Sequence, residues 1–153
     1  MQFIVKRDIL LKSLNFVQGV VEKKNTLPIL SNVLLILNEG KLKIVATDMD
    51  IVFYDEISDV KVEKEGSTTT SASVLYDILR KITNNSSVSF NLSNDNKLSI
   101  KADNADFNLL CLAPDNFPSF PEEFSSDIIS INRDQFLSLL NKTRISISND
   151  DTR

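Results

Sequence analysis

The sequence predicts an α+β fold in which two helices pack on antiparallel sheets, built from a strand–helix–strand–strand–strand unit that occurs twice. Three observations carry this expectation. Short segments alternate apolar and polar residues and end at turn-forming residues. Two other segments place apolar residues three and four apart, the period of a helix with one buried face. The order of these segments through residue 60 is then repeated from residue 67 to residue 112, in part with the same residues.

The chain opens on an alternating strand over 2–6, with Phe3 and Val5 on one face. A helix follows, since Leu10, Leu11, Leu14 and Val17 fall at helical spacing. Asp8 near its start suits the free N–H groups there, and Gly19 marks its end. A polar loop over 22–26 leads to Leu27-Pro28. Strands are expected at 29–37, 41–47 and 51–60; the first is long and apolar, the second sets Leu42 and Ile44 on one side, and the third is polar enough for a sheet edge. Asn38-Glu39-Gly40 reads as the first hairpin turn, with glycine free to take positive φ. The pattern then restarts. A short strand over 67–70 precedes a helix that uses Val74, Leu75, Ile78, Leu79 and Ile82, with Ser71 and Ser73 as candidate N-caps and Asn84-Asn85-Ser86 as its breaker. Strands are expected at 88–92, 98–102 and 107–112, with Asn94-Asp95-Asn96 turning between the first two.

Asn38, Lys41, Leu42, Ile44 and Ala46 recur as Asn94, Lys97, Leu98, Ile100 and Ala102, a constant offset of 56 (94 − 38). A second echo lies beyond Pro118 and Pro121. Arg7, Asp8, Leu11, Leu14 and Asn15 recur as Arg133, Asp134, Leu137, Leu140 and Asn141, an offset of 126 (133 − 7), and Phe3 and Val5 match Ile129 and Ile131. The strand–helix opening of the first domain therefore begins again, with a further strand expected at 145–148. The expected organisation is a first domain over 1–122 and the truncated start of a second, like domain over 123–153, divided in the Pro-, Ser- and Glu-rich stretch 117–127. Residues 123–153 are too few to close a core, so the sequence predicts a fragment that continues beyond Arg153.

Composition narrows the chemistry. Hydrophobic residues make up 42% and charged residues 25%, a globular balance. No apolar run approaches the roughly 18 residues that span a membrane, and no basic-then-apolar leader opens the chain. Cys111 is the single cysteine, which points to a cytoplasmic setting. Histidine and tryptophan are absent, so Ser-His and Cys-His nucleophiles and His-ligated metals are excluded. Gly19, Gly40 and Gly66 are too far apart for a phosphate loop. No cofactor, metal or catalytic set is expected. Net charge is -4, but it is uneven: residues 1–25 carry Lys6, Arg7, Lys12, Lys23 and Lys24 against Asp8 and Glu22, whereas 115–127 carry Asp115, Glu122, Glu123 and Asp127 with no base.

Thr26-Leu27-Pro28-Ile29-Leu30-Ser31-Asn32 resembles the signature loop and strand of the bacterial sliding clamp family, the beta subunit of DNA polymerase III. Thr47-Asp48-Met49-Asp50, Ala113-Pro114-Asp115-Asn116-Phe117-Pro118 and Asp150-Asp151-Thr152-Arg153 fall where that family has similar motifs. The resemblance covers the whole chain. It implies a DNA-clamp fold, with helices lining the inner face and antiparallel sheets outside. It also implies a processivity factor for DNA replication: a homodimeric ring that encircles duplex DNA regardless of sequence. Such a ring tethers the DNA polymerase catalytic subunit and is handled by a clamp loader. The role is non-catalytic, without cofactor or membrane association.

A slider needs positive charge aimed at phosphates and no reading of bases. Lys12 on the first helix, Lys23 and Lys24 in the loop after it, and Arg80 and Lys81 at the end of the second helix are the candidates. The resemblance favours Lys24, which falls where the family often has a DNA-contacting basic residue; Ser73 departs from relatives that carry a basic residue at its own position. The resemblance also places a subunit interface on the last strand, with Phe107 and Leu109 at the apolar positions and Ile78 and Ile82 nearby. Asn104 and Asp106 stand where relatives can carry arginines, which weakens the ionic part of that contact. Arg153 falls beside the family's partner-peptide cleft, which needs residues beyond it. Two other readings compete. One is a non-catalytic α+β interaction module without DNA binding, in which the helix lysines scatter. The other is an enzyme using Asp48 and Asp50, an Asp-x-Asp pair able to share a cation, although a polar turn explains that pair as well.

Overall fold

The structure, a computed structural model, describes residues 1–21, 27–119 and 129–147. The first strand, β1 (Gln2–Lys6), buries Phe3 and Val5 as its alternation requires. The chain turns directly into α1 (Arg7–Val17), whose Leu10, Leu14 and Val17 are fully buried while Leu11 packs at the margin of the core. No side chain caps the start of α1. Asp8 lies in the first turn as expected, but its carboxylate caps no N–H of α1 and accepts instead from the backbone N–H of Asn85 at 2.7 Å.

The segment expected as one long strand at 29–37 divides. Pro28, which lacks an N–H and has a fixed φ, opens a 3-10 turn over Pro28–Ser31, and β2 runs over Asn32–Asn38. Glu39 and Gly40, both at positive φ (49° and 75°), turn the chain into β3 (Lys41–Thr47). The segment expected as a single strand at 51–60 is two: β4 (Val52–Ile57) pairs with β3, and β5 (Val60–Lys64) pairs with β1. The break at Ser58-Asp59 lets the chain leave one sheet and join the other.

β6 (Gly66–Ser71) leads into α2 (Ala72–Lys81). Ser71 is the N-cap, its hydroxyl accepting from the N–H of Val74, and Ser73 lies inside the helix. Then follow β7 (Ser87–Leu92), β8 (Lys97–Ala102) and β9 (Ala105–Leu112). The turn between β7 and β8 places Asn96 at positive φ (53°).

All ladders are antiparallel, in the order β4-β3-β2-β6-β9-β8-β7-β1-β5. β9 belongs to both halves: Ala105–Leu110 lie along β8, whereas Cys111 and Leu112 lie against Thr70 and Thr69 of β6. This mirrors the pair β4–β5, which also runs from one sheet to the other. The fold is thus two strand–helix–strand–strand–strand units related by an internal two-fold, each giving its last strand to both sheets. Residues at the offset of 56 occupy equivalent places, since Leu42, Ile44 and Ala46 of β3 and Leu98, Ile100 and Ala102 of β8 all point into the core.

Only two residue pairs join β6 to β9, and side chains reinforce them. Thr69 Oγ1 donates to the carbonyl of Leu112 (3.0 Å) and accepts from Asn32 Nδ2 (3.2 Å). Thr68, Thr69 and Thr70 are all buried, because β6 is covered on both faces. At the core's other side Phe3 of β1 and Phe90 of β7, direct cross-strand partners, stack with centroids 4.7 Å apart.

The chain divides into two compact units, Met1–Ser119 and Phe120–Arg153, and the expected boundary at 122/123 lies outside the described residues. In the second unit α3 (Arg133–Thr143) is N-capped by Asn132, whose Oδ1 accepts from Asp134 (3.0 Å) and Gln135 (3.2 Å). α1 and α3 start and end at the same offset of 126 (133 − 7; 143 − 17). The strands expected on either side of α3 are not formed among the described residues: 129–132 join no ladder, and Arg144–Ser146 make a 3-10 turn.

Candidate nucleic-acid interface

α1 and α2 lie antiparallel and are laced by side chains along their length. At one end Gln18 Nε2 donates to the carbonyl of Ala72 (3.2 Å). In the middle Tyr76 Oη donates to Asn15 Oδ1 (3.1 Å). At the other end Arg7, buried, donates from Nε to the carbonyl of Leu79 (2.8 Å) and from Nη2 to that of Arg80 (3.3 Å). Arg7 Nη1 also pairs with Asp8 Oδ1 at 2.6 Å. That guanidinium first, and the N–H of Asn85 second, hold the Asp8 carboxyl below the usual carboxylate range.

The solvent side of this helix pair carries Lys12 on α1, and Arg80 and Lys81 on α2, all exposed. Arg80 is steered by Tyr76, its guanidinium carbon 5.7 Å from the ring centroid. Asp77 is the exposed acid of the same pair, and Arg7 offsets Asp8, so the helices themselves carry three exposed cations against one exposed anion on a chain of net charge -4. Lys12 stands at the rim of a shallow cleft with Ile9, Ser13 and Phe16, opposite Asp55, Glu56 and Asp59. The Ser13 hydroxyl donates to Asp55 there, and Phe16 stacks on Phe53. Lys23, Lys24 and Arg153 lie outside the described residues.

On β9 the structure separates the apolar residues by face. Phe107 and Leu109 pack against the core from its margin, and Ile78 and Ile82 are buried in that core. Leu110 (78% exposed) and Leu112 (45%) point the other way. Over Ala105–Leu110 the edge of β9 away from β8 has no ladder partner among the described residues. Asp106 is engaged by Lys101 Nζ at 3.2 Å.

The Asp48-Met49-Asp50 segment is a turn. Asp48 Oδ1 accepts from the N–H groups of Asp50 (3.0 Å) and Ile51 (2.7 Å), Thr47 Oγ1 accepts from that of Met49 (2.9 Å), and Met49 sits at φ 87°. Asp48 Oδ1 is thus committed to its own turn. Among the described residues no group of three or more Cys, Asp and Glu is placed to hold a metal.

Sequence reasoning missed the lacing residues Arg7, Asn15, Gln18 and Tyr76. The one signal for Arg7 was its recurrence, with Asp8, as Arg133-Asp134. The second pair also closes on itself, Arg133 Nη1 to Asp134 Oδ1 at 3.0 Å, but both residues are exposed.

A family model described as "DNA polymerase III beta subunit, N-terminal domain" matches residues 1–121. The beta sliding clamp of Caulobacter vibrioides (strain NA1000 / CB15N) is 38% identical over 154 residues, covering 100% of this chain and 41% of that protein. The beta sliding clamp of Pseudomonas aeruginosa PAO1 is 31% identical with the same coverage. Among solved structures, the Caulobacter crescentus pol III beta chain superposes with a TM-score of 0.92 at 36% identity, over 99% of this chain and 40% of that one. The Bartonella birtlesii DnaN sliding clamp, bound to griselimycin, gives 0.93 at 34% identity, over 100% and 41%. This chain thus spans about 41% of the length of the curated relatives it matches. With the fold, the internal repeat and the match over residues 1–121 in agreement, the chain belongs to the DNA polymerase III beta subunit family, the sliding clamps, and corresponds to their N-terminal portion.

Proposed function

We propose that this chain serves in a processivity factor that encircles duplex DNA and tethers the replicative polymerase during DNA replication, without catalysis of its own. The observation that carries the reading is the set of exposed cations on the laced helix pair, Lys12 on α1 and Arg80 and Lys81 on α2. Cations on rigid helices contact phosphates without reading bases, which is what sliding requires. Lys24 joins them by position in the sequence. Residues 1–122 act as the first clamp domain and 123–153 begin the second.

The partners follow from the same reading: duplex DNA, the polymerase catalytic subunit and the clamp loader, in a cytoplasmic homodimer. The open edge of β9 is the candidate subunit contact. Phe107 and Leu109 anchor that strand to the core in which Ile78 and Ile82 are buried, and Leu110 and Leu112 offer apolar surface on its other face. Arg153 belongs beside the partner-peptide cleft.

The test is fluorescence anisotropy of the chain with two labelled duplexes of equal length and unrelated sequence, at low salt. Affinities equal within about twofold are expected, since phosphate contacts carry no sequence information. A clear preference for one sequence, or no binding to either, would contradict the reading and favour an interaction module that does not bind DNA.

A further inference from the structure

We propose that Arg7 is a positioning residue for DNA contact, fixing the end of α2 that presents Arg80 and Lys81 and covering the negative pole of that helix. The inference rests on the DNA-contact reading of α2 given above. Arg7 is buried and directs its guanidinium to three acceptors of this chain: the carbonyls of Leu79 and Arg80, and Asp8 Oδ1. It is therefore not itself a phosphate contact.

The end of α2 needs such a partner. Ile82, its C-cap, is extended (φ -74°, ψ 145°) and does not turn left-handed, so the backbone closure that a C-terminal glycine provides is not made. The last carbonyls of a helix carry about half a negative charge, which opposes a phosphate approaching the last turn. Arg80 and Lys81 lie in that turn. The Arg7 guanidinium satisfies the carbonyls of Leu79 and Arg80 and offsets their charge from beneath. Two further bonds lock the same junction: the N–H of Arg7 donates to the carbonyl of Ser86 (2.9 Å), and Asp8 Oδ2 accepts from the N–H of Asn85 (2.7 Å). The start of α1 is thereby tied to 79–86, directly behind the two cations. Arg133-Asp134 forms the same local pair while exposed, so the pair is a property of the helix start and its grip on α2 is tertiary.

A double-mutant cycle on the whole chain tests this, read by anisotropy with a duplex at low salt and with circular dichroism as the fold check. Arg7→Gln is expected to weaken binding about 3- to 10-fold in the wild-type background and to change it little in an Arg80→Ala/Lys81→Ala background, because coupled residues are not additive. Arg7→Lys keeps the charge, but its single head cannot span two carbonyls, and an intermediate loss is expected. If Arg7→Gln does not fold, the cycle is read on Arg7→Lys. Equal weakening in both backgrounds would show a general structural role and overturn the proposal, as would a folded variant that binds like wild type. If Arg80→Ala/Lys81→Ala leaves binding unchanged, the reading of α2 as a DNA contact fails and this proposal falls with it.

Discussion

Gly66 opens β6 at φ 147°, and a methyl group there would come within 3.2 Å of the Met1 side chain. Met1 is buried, and its carbonyl accepts from the N–H of Leu92 (2.9 Å), so it has little room to retreat. Gly66→Ala should lower stability by about 1–3 kcal/mol, from backbone strain plus the close contact. Urea denaturation checks this, and a midpoint equal to wild type would show that Met1 moves aside freely. At this scale the apolar residues were legible and the polar ones were not. Leu10, Leu14, Leu42, Ile44, Leu98 and Ile100 are buried as their spacing requires, because burial follows from period alone. Arg7 was unreadable for the opposite reason: the same Arg-Asp pair is buried at α1 and exposed at α3, so its role depends on a carbonyl more than 70 residues away in sequence. Phe107 and Leu109, expected at a subunit interface, pack against the core from its margin, and whether a strand face meets a core or a partner is not written in an alternation.

Among elements, hairpins and helices were easier to read than breaks. Glu39-Gly40 turns where the sequence indicates, and α1 and α2 form over the segments whose apolar residues fall at helical spacing. The division of 51–60 into β4 and β5 was hidden, because the residues on both sides of Ser58-Asp59 are compatible with one edge strand. What separates them is the partner: β3 for one half and β1 for the other. α3 shows how far a helix depends on its setting. It matches α1 in length and opening residues, and it is better capped, yet Phe136, Leu137 and Leu140 stand exposed where Leu10, Leu11 and Leu14 pack in the first unit. An 11-residue helix without a buried face is marginal in water. Hydrogen exchange of this chain should therefore find the interior amides of α1 protected by at least about a thousandfold more than those of α3. Similar protection in both would mean that the apolar side of α3 is covered in solution.

For the whole molecule, the internal two-fold sets the helices together and leaves the open edges of β4 and β9 in equivalent places, an arrangement suited to joining like units side by side. The repeat at an offset of 56 made the two-unit plan of the first 112 residues legible, and that at 126 the match of α3 to α1, while the cations of the helix pair were only partly so. Lys12, Arg80 and Lys81 could be named from the sequence, but not the lacing that turns two helices into one rigid surface. The salt dependence of duplex binding, compared between this chain and its Lys12→Ala/Arg80→Ala/Lys81→Ala variant, tests that surface most directly. The plot of log Kobs against log salt should be flatter in the variant by about two to three, close to one for each phosphate no longer neutralised. Parallel plots of equal affinity would show that the helix pair does not face DNA.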